Sequence, residues 1–180
     1  MVSITKDNLT LKQFDLLQAE LLFRIIDSNR KYFKTWFSWV DKTNKLEDIE
    51  IFLKNENEKY SKGEGIYLGI WFKNTLSGVV SFNYINKNNN CATIGYWLAE
   101  EFQGKGIMTK ACKMLIEYGF NTLNLHKIDI SHASENIKSA NVIKKIGFTH
   151  EGHFRKSELV NGIYLDQEYY GLLKEEWKNE

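Results

Sequence analysis

The sequence predicts an α/β fold: a mixed, mostly antiparallel central sheet with helices on both faces. Three observations predict it. The first third of the chain carries apolar residues at helical spacing. The stretch from Ile66 to Leu98 is cut by polar turns into short runs of β-branched and aromatic residues. A glycine loop then opens a strand, helix, strand crossover.

Taken in order, Leu9 to Phe14 reads as a short opening strand. From Leu16 to Asn29 the positions Leu17, Leu21, Leu22, Ile25 and Ile26 recur as a helical stripe. A second helical segment holds Tyr32, Phe33, Trp36, Phe37 and Trp39. A third runs from Leu46 to Tyr60, with Ile49, Phe52 and Leu53 at helical spacing. Ile66 to Phe72 and Val79 to Ile85 read as an antiparallel hairpin separated by Asn74 to Gly78. The polar turn Asn86 to Asn90 leads into Cys91 to Leu98, a third strand of the same sheet.

After the loop Gly104 to Gly106 come a helix from Ile107 to Leu123 and a strand from Lys127 to His132. A helix from Lys138 to Lys145 ends at Gly147, a C-cap glycine. Phe148 to Lys156 and Tyr164 to Leu173 form a last hairpin around Asn161-Gly162, a dipeptide suited to a tight turn.

A chain of 180 residues with no proline and no Gly/Ser-rich linker is expected to form one domain over 1–180. Lys and Arg number 24 against 23 Asp and Glu, a net charge of +1. The global field therefore offers no general attraction for nucleic acid or an anionic membrane, and any anion site must be local. No run approaches the ~20 apolar residues of a membrane span, and the amino terminus lacks a signal pattern. A cytosolic protein with Cys91 and Cys112 as reduced thiols is expected. His126, His132, His150 and His153 fall on strands or their edges, and simple alternation puts His150 and His153 on opposite faces; no metal is expected.

The chemistry begins at Gln103-Gly104-Lys105-Gly106, between a strand and a helix start. There backbone N–H groups are unpaired and the helix dipole favours negative charge, so such a loop can cradle phosphates, with Lys105 adding charge. The same two glycines could equally make only a tight turn. A Walker pattern needs a Lys-Ser/Thr pair that is absent, and a dinucleotide loop needs a third glycine where Thr109 stands.

The order of parts carries more: Gly95-Tyr96-Trp97-Leu98, then Gln103-Gly104-Lys105-Gly106-Ile107-Met108, then Asn136, Ser139 and Lys145-Ile146-Gly147-Phe148. In this the chain resembles the GCN5-related N-acetyltransferase (GNAT) family, and more narrowly its bacterial branch that acetylates amino termini of ribosomal proteins. The resemblance implies acetyl-CoA as cosubstrate, its pyrophosphate on the amides from Gln103 to Met108. Its pantetheine would run beside a splayed strand, whose backbone near Trp97 and Leu98 gives an N–H to the thioester oxygen. It implies a coenzyme contact from Asn136, and Ser139 as the acid for the departing thiolate. The acceptor, an amine such as a protein amino terminus, would lie near Trp36, Trp39, Asn83 and Tyr96. Self-association is plausible by the same resemblance.

The chain departs from that pattern at four places: Met108 replaces a Gly or Ala, Ile143 a tyrosine acid, and Thr93 a glutamate, while Phe37 and Trp39 lack a proline between them. An α-amine is roughly a quarter neutral at about pH 7.4, against ~0.1% for lysine, so an α-amine acceptor needs only a weak base. Glu64 is the candidate base, with Glu100 and Glu101 as competitors. Trp36, Phe37 and Trp39 have two readings, as a cleft lining or as packing for the helical third. Lys144 or Lys145 could reach a coenzyme phosphate. Two other functions fit parts of the pattern: a non-catalytic acyl-CoA-binding module, and a dinucleotide-dependent oxidoreductase.

Overall fold

The structure is a computed structural model that describes residues 1–178. Its strands are β1 (Ser3–Lys6), β2 (Leu9–Gln13), β3 (Ile66–Phe72), β4 (Thr75–Asn86), β5 (Cys91–Leu98), β6 (Lys127–Ala133), β7 (Thr149–Val160) and β8 (Ile163–Leu173). They form one eight-stranded sheet in the order β1-β2-β3-β4-β5-β6-β8-β7. Every neighbouring pair is antiparallel except β5 and β6. That one parallel pair requires a crossover, which helix α4 (Ile107–Asn121) supplies. The other helices are α1 (Ala19–Ser28), the single turn α2 (Arg30–Phe33), α3 (Leu46–Lys62) and α5 (Ile137–Ile146).

Alternation along the strands divides the core. Val80, Phe82, Ile94, Ile128 and Ile130 pack under α4 and α5, together with Cys112. Leu76, Val79 and Trp97 face the other way, against Leu22 and Ile26 of α1, Phe33 of α2, and Ile49 and Leu53 of α3. Helices thus cover both faces, as the sequence predicts.

Four local readings change. The β3–β4 turn is only Lys73 and Asn74, both with positive φ (48° and 65°), so Thr75 to Gly78 belongs to β4 instead of to a loop. Strand β1 is short and polar, with no apolar run to announce it. Leu16–Gln18 is a 3₁₀ turn, so the phase of the helix is set from Ala19; Ala19, Leu22 and Ile26 are buried, while Leu17 is 94% exposed and Leu21 is also exposed. The aromatic segment after α2 is not a continuous helix. The Arg30 guanidinium holds it, donating to Val40 O (2.7 Å) and Thr43 O (2.6 Å) in place of a backbone ladder.

Candidate active site

The β5–β6 ladder runs from Cys91↔Lys127 to Ile94↔Ile130 and stops. Beyond it β5 continues with β4 as far as Leu98↔Gly78, and β6 continues with β8 as far as Ala133↔Gln167. The two strands therefore diverge, and β5 has an open edge from Gly95 onward. Ala99 N donates to Ser77 O (2.9 Å), and antiparallel alternation then spends the N–H and C=O of Trp97 on Val79. The peptide groups of Tyr96 and Leu98 face the open edge, and Leu98 O accepts from Gln103 Nε2 (3.3 Å). This narrows the expected oxyanion donor to Leu98 or Tyr96. Trp97 instead contributes a buried indole, its ring 5.0 Å from that of Phe33.

On the α4 and α5 side of this gap lies a recess of about 580 Å³ lined by Leu98, Gln103, Gly104, Gly106, Ile107, Met108, Asn136 and Lys145, among others. Gly104 and Gly106 have φ of 74° and 73°, and a Cβ on either would meet nothing within 4 Å. Gly106 is the N-cap of α4 without a side-chain cap, so the first N–H groups of the helix have no intrahelical acceptor. Open backbone, free donors and the helix dipole together fit a pyrophosphate. The Lys105 side chain does not join them: Nζ donates to Glu101 O (2.8 Å) and lies over the Phe102 ring. Lys145 and Lys138 line the recess in its place, Lys138 Nζ donating to Gln103 Oε1 (2.8 Å).

Ser139 sits in the first turn of α5, where serine often caps the helix. Here the cap is Asn136, whose Oδ1 accepts from Ser139 N (3.1 Å). The Ser139 hydroxyl is left to pair with Tyr96 Oη at 2.7 Å. Burial pushes the Tyr96 phenol up, so it keeps its proton at neutral pH. Ile143, which stands where the resemblance leads one to seek a tyrosine acid, is fully buried core. The phenol beside Ser139 comes from β5 instead.

A second recess, of about 510 Å³, opens on the opposite side of the gap and shares Trp36, Phe37, Tyr96, Trp97, Asn136 and Ser139 with the first. Trp39, Asn83, Phe52 and Tyr67 are also among its walls, so all four expected acceptor-side residues, Trp36, Trp39, Asn83 and Tyr96, are brought together. In the aromatic segment Phe37 and Trp39 line the recess and also pack on Phe33.

Glu64 is not brought to either recess. It is exposed at the corner after α3, where its carbonyl accepts from Ile85 N, five residues along β4 from the Val80 that pairs with Tyr96. Glu100 lines only the first recess, and Glu101 neither. The carboxylate that does reach the second recess is Glu158 on β7, which accepts from Gln167 Nε2 (2.6 Å). Desolvation raises its pKa. The predicted strand ended at Lys156 and missed it. The signal was available: Asn161 and Gly162, with φ of 49° and 82°, set Val160 opposite Ile163, and counting back sets Glu158 opposite Leu165.

The expectation that His150 and His153 lie on opposite faces is also corrected. The register slips between His150 and Gly152, and the extra residue turns both imidazoles onto Glu168. His150 Nε2 and His153 Nδ1 each lie 2.7 Å from its carboxylate oxygens.

Comparison with known proteins agrees with this geometry. A family model described as an acetyltransferase (GNAT) domain matches residues 8–149. YdaF of Bacillus subtilis (strain 168), provisionally named a ribosomal N-acetyltransferase, is 35% identical over 97% of this chain and 96% of its own. The ribosomal-protein-serine acetyltransferase of Escherichia coli (strain K12) is 30% identical, over 84% and 85% of the two chains. Among solved structures, RimL, the ribosomal L7/L12 α-N-protein acetyltransferase in complex with coenzyme A, superposes with a TM-score of 0.93 at 26% identity, over 96% of this chain and 98% of that one. The microcin C7 self-immunity acetyltransferase MccE, in complex with acetyl-CoA and AMP, gives 0.89 at 36% identity, over 93% of each.

Proposed function

This chain belongs to the acetyltransferase (GNAT) family and is an acetyl-CoA-dependent N-acetyltransferase, and from that premise we propose that its acceptor is the α-amine of a protein amino terminus, as in ribosomal proteins. The observation that carries the reading is the gap beside β5, where the two recesses meet at Tyr96 and Ser139. Coenzyme on one side and amine on the other would approach each other there.

The coenzyme supplies an acyl group already activated for attack by a neutral amine. The chain supplies the rest. The amides around Gly104 and Gly106, with Lys145, hold the phosphates. The outward N–H of Leu98 or Tyr96 stabilises the oxygen as it gains charge. Ser139 gives its proton to the departing sulfur and draws another from the Tyr96 phenol, which regains one from water as the coenzyme thiol leaves. Glu158, with its raised pKa, takes the proton from the amine, the role that the sequence led one to seek at Glu64. Among the described residues Glu158 is the single Asp or Glu on the walls of the second recess, which suits one amine better than a polyamine with several cations.

A second acceptor class is favoured by the rings of that recess. Trp36, Phe37, Trp39 and Phe52 offer stacking faces, and MccE, at 36% identity, was solved with AMP. An α-amine carried by an aminoacyl nucleotide fits the same walls. We place the enzyme in the cytosol, where both acceptors occur. The test is free-thiol release from acetyl-CoA with mass spectrometry of the acceptors, across amino-terminal peptides, aminoacyl nucleotides, lysine peptides and spermidine. Acetylation confined to α-amines supports the reading, and acetylation confined to side-chain or polyamine nitrogens overturns it.

A further inference from the structure

We propose that Asn83 is a specificity-determining residue that reads the carbonyl group next to an acceptor α-amine, and that Ser81 and Gly95 are the positioning residues that aim it. The proposal rests on the reading of the cleft as an acetyl-transfer site.

The pairing of β4 with β5 slips at Asn83: Phe82 faces Ile94, and the next pair is Tyr84 with Thr93. Asn83 is the extra residue of a β-bulge, a device that re-aims one side chain. With Ser81 it lines the second recess. Ser81 Oγ lies 2.6 Å from Asn83 Oδ1 and 3.1 Å from Gly95 O. Ladder alternation already gives Gly95 O the N–H of Ser81, so the single hydroxyl proton goes to the closer Oδ1. The amide oxygen is thereby pinned. Both protons of Nδ2 remain, and no described residue accepts from them.

Gly95 explains why the amide can lie where it does. A Cβ at this position would stand 2.3 Å from Asn83 Nδ2 and 2.8 Å from Oδ1. The glycine is needed for close approach and not for a left-handed backbone, since its φ is not positive. Any side chain at 95 would displace the amide without altering its chemistry.

An unspent N–H donor on aromatic walls seeks a neutral oxygen. Peptidyl and aminoacyl acceptors carry one in the carbonyl group attached to the carbon that bears the reactive nitrogen, and alkyl amines carry none. A site built to bond such a group rejects an analogue that lacks it.

The test compares kcat/KM for phenylalaninamide and phenethylamine, in the wild type, Asn83→Ala and Gly95→Ala. Their amines differ in basicity, but that difference cancels when the ratio is compared between enzymes. Asn83→Ala is expected to lower the amide-to-amine ratio about tenfold, one neutral hydrogen bond, and Gly95→Ala to lower it likewise by displacement. A ratio unchanged within about twofold in Asn83→Ala overturns the proposal and leaves acetyl transfer standing. No thiol release with either amine in the wild type overturns both. If Gly95→Ala fails to fold, Asn83→Ala still decides.

Discussion

The Tyr96 hydroxyl on β5 and the Ser139 hydroxyl on α5 lie 2.7 Å apart across the mouth that joins the two recesses. A hydroxyl that gives a proton to sulfur needs one in return, and the phenol is the group placed to return it. Ser139→Ala is expected to lower kcat about a hundredfold, and Tyr96→Phe by less. Acetyl-CoA affinity should stay within about twofold, and the double variant should cost less than the two single ones combined. Steady-state kinetics with calorimetric coenzyme binding checks this; an unchanged kcat in Ser139→Ala removes that residue from the mechanism.

Gly106 combines a left-handed backbone, φ of 73°, with the first free donors of α4. Gly106→Asp puts strain of about 1 kcal/mol and a negative charge at the same point. Coenzyme binding should weaken by about a hundredfold or more, read by titration calorimetry. Unaltered binding would refute the pyrophosphate placement.

As the proposed base, Glu158 would act only when ionised, and desolvation raises its pKa. The acidic limb of kcat/KM, corrected for the neutral fraction of the amine, should therefore fall off above the usual carboxylate range near 4.3. Glu158→Gln should remove that limb and lower the rate at least about tenfold. A variant with the wild-type profile would assign the proton elsewhere.

Glu168 takes hydrogen bonds from His153, Ser134 and His150, which hold its pKa at about 2. A carboxylate depressed on folding contributes stability above its unfolded pKa and loses it as pH falls from about 4.3 toward 2. His153 is raised, chiefly by Glu168, so its share is present below the unfolded value near 6.5 and is lost as pH rises through the higher folded one. Glu168→Gln should lower Tm most near pH 5 to 6, with the deficit shrinking on both sides. A deficit independent of pH would mean that the cluster is only packing.

The fold was legible wherever a periodic pattern met a turn residue. Cys91–Leu98 was bounded by asparagines and a glycine loop, and α5 ended at Gly147, whose φ is 98°. The glycine loop that opens α4 was legible too, since glycine spacing survives in one dimension. What escaped depended on register. Asn83 could be named but not explained without the slip after Phe82, and the shared partner of His150 and His153 appears only once the slip after His150 is known. Glu158 lies 94 residues from Glu64, and only the β7–β8 pairing carries it to the cleft. A carboxylate base is local chemistry at a non-local address.

The β5–β6 ladder of four pairs also makes a mechanical seam. Among the described residues it is the one strand pairing that ties the plate β1 to β5 to the plate β6, β8, β7. Coenzyme lying along the open edge of β5 would stitch that seam, adding rungs that the polypeptide leaves out. Amide exchange of Tyr96 and Leu98 should then slow most on loading, and the loaded enzyme should resist shear between the plates better than the empty one. The gap beside β5 is thus also a place where the sheet is held by few rungs.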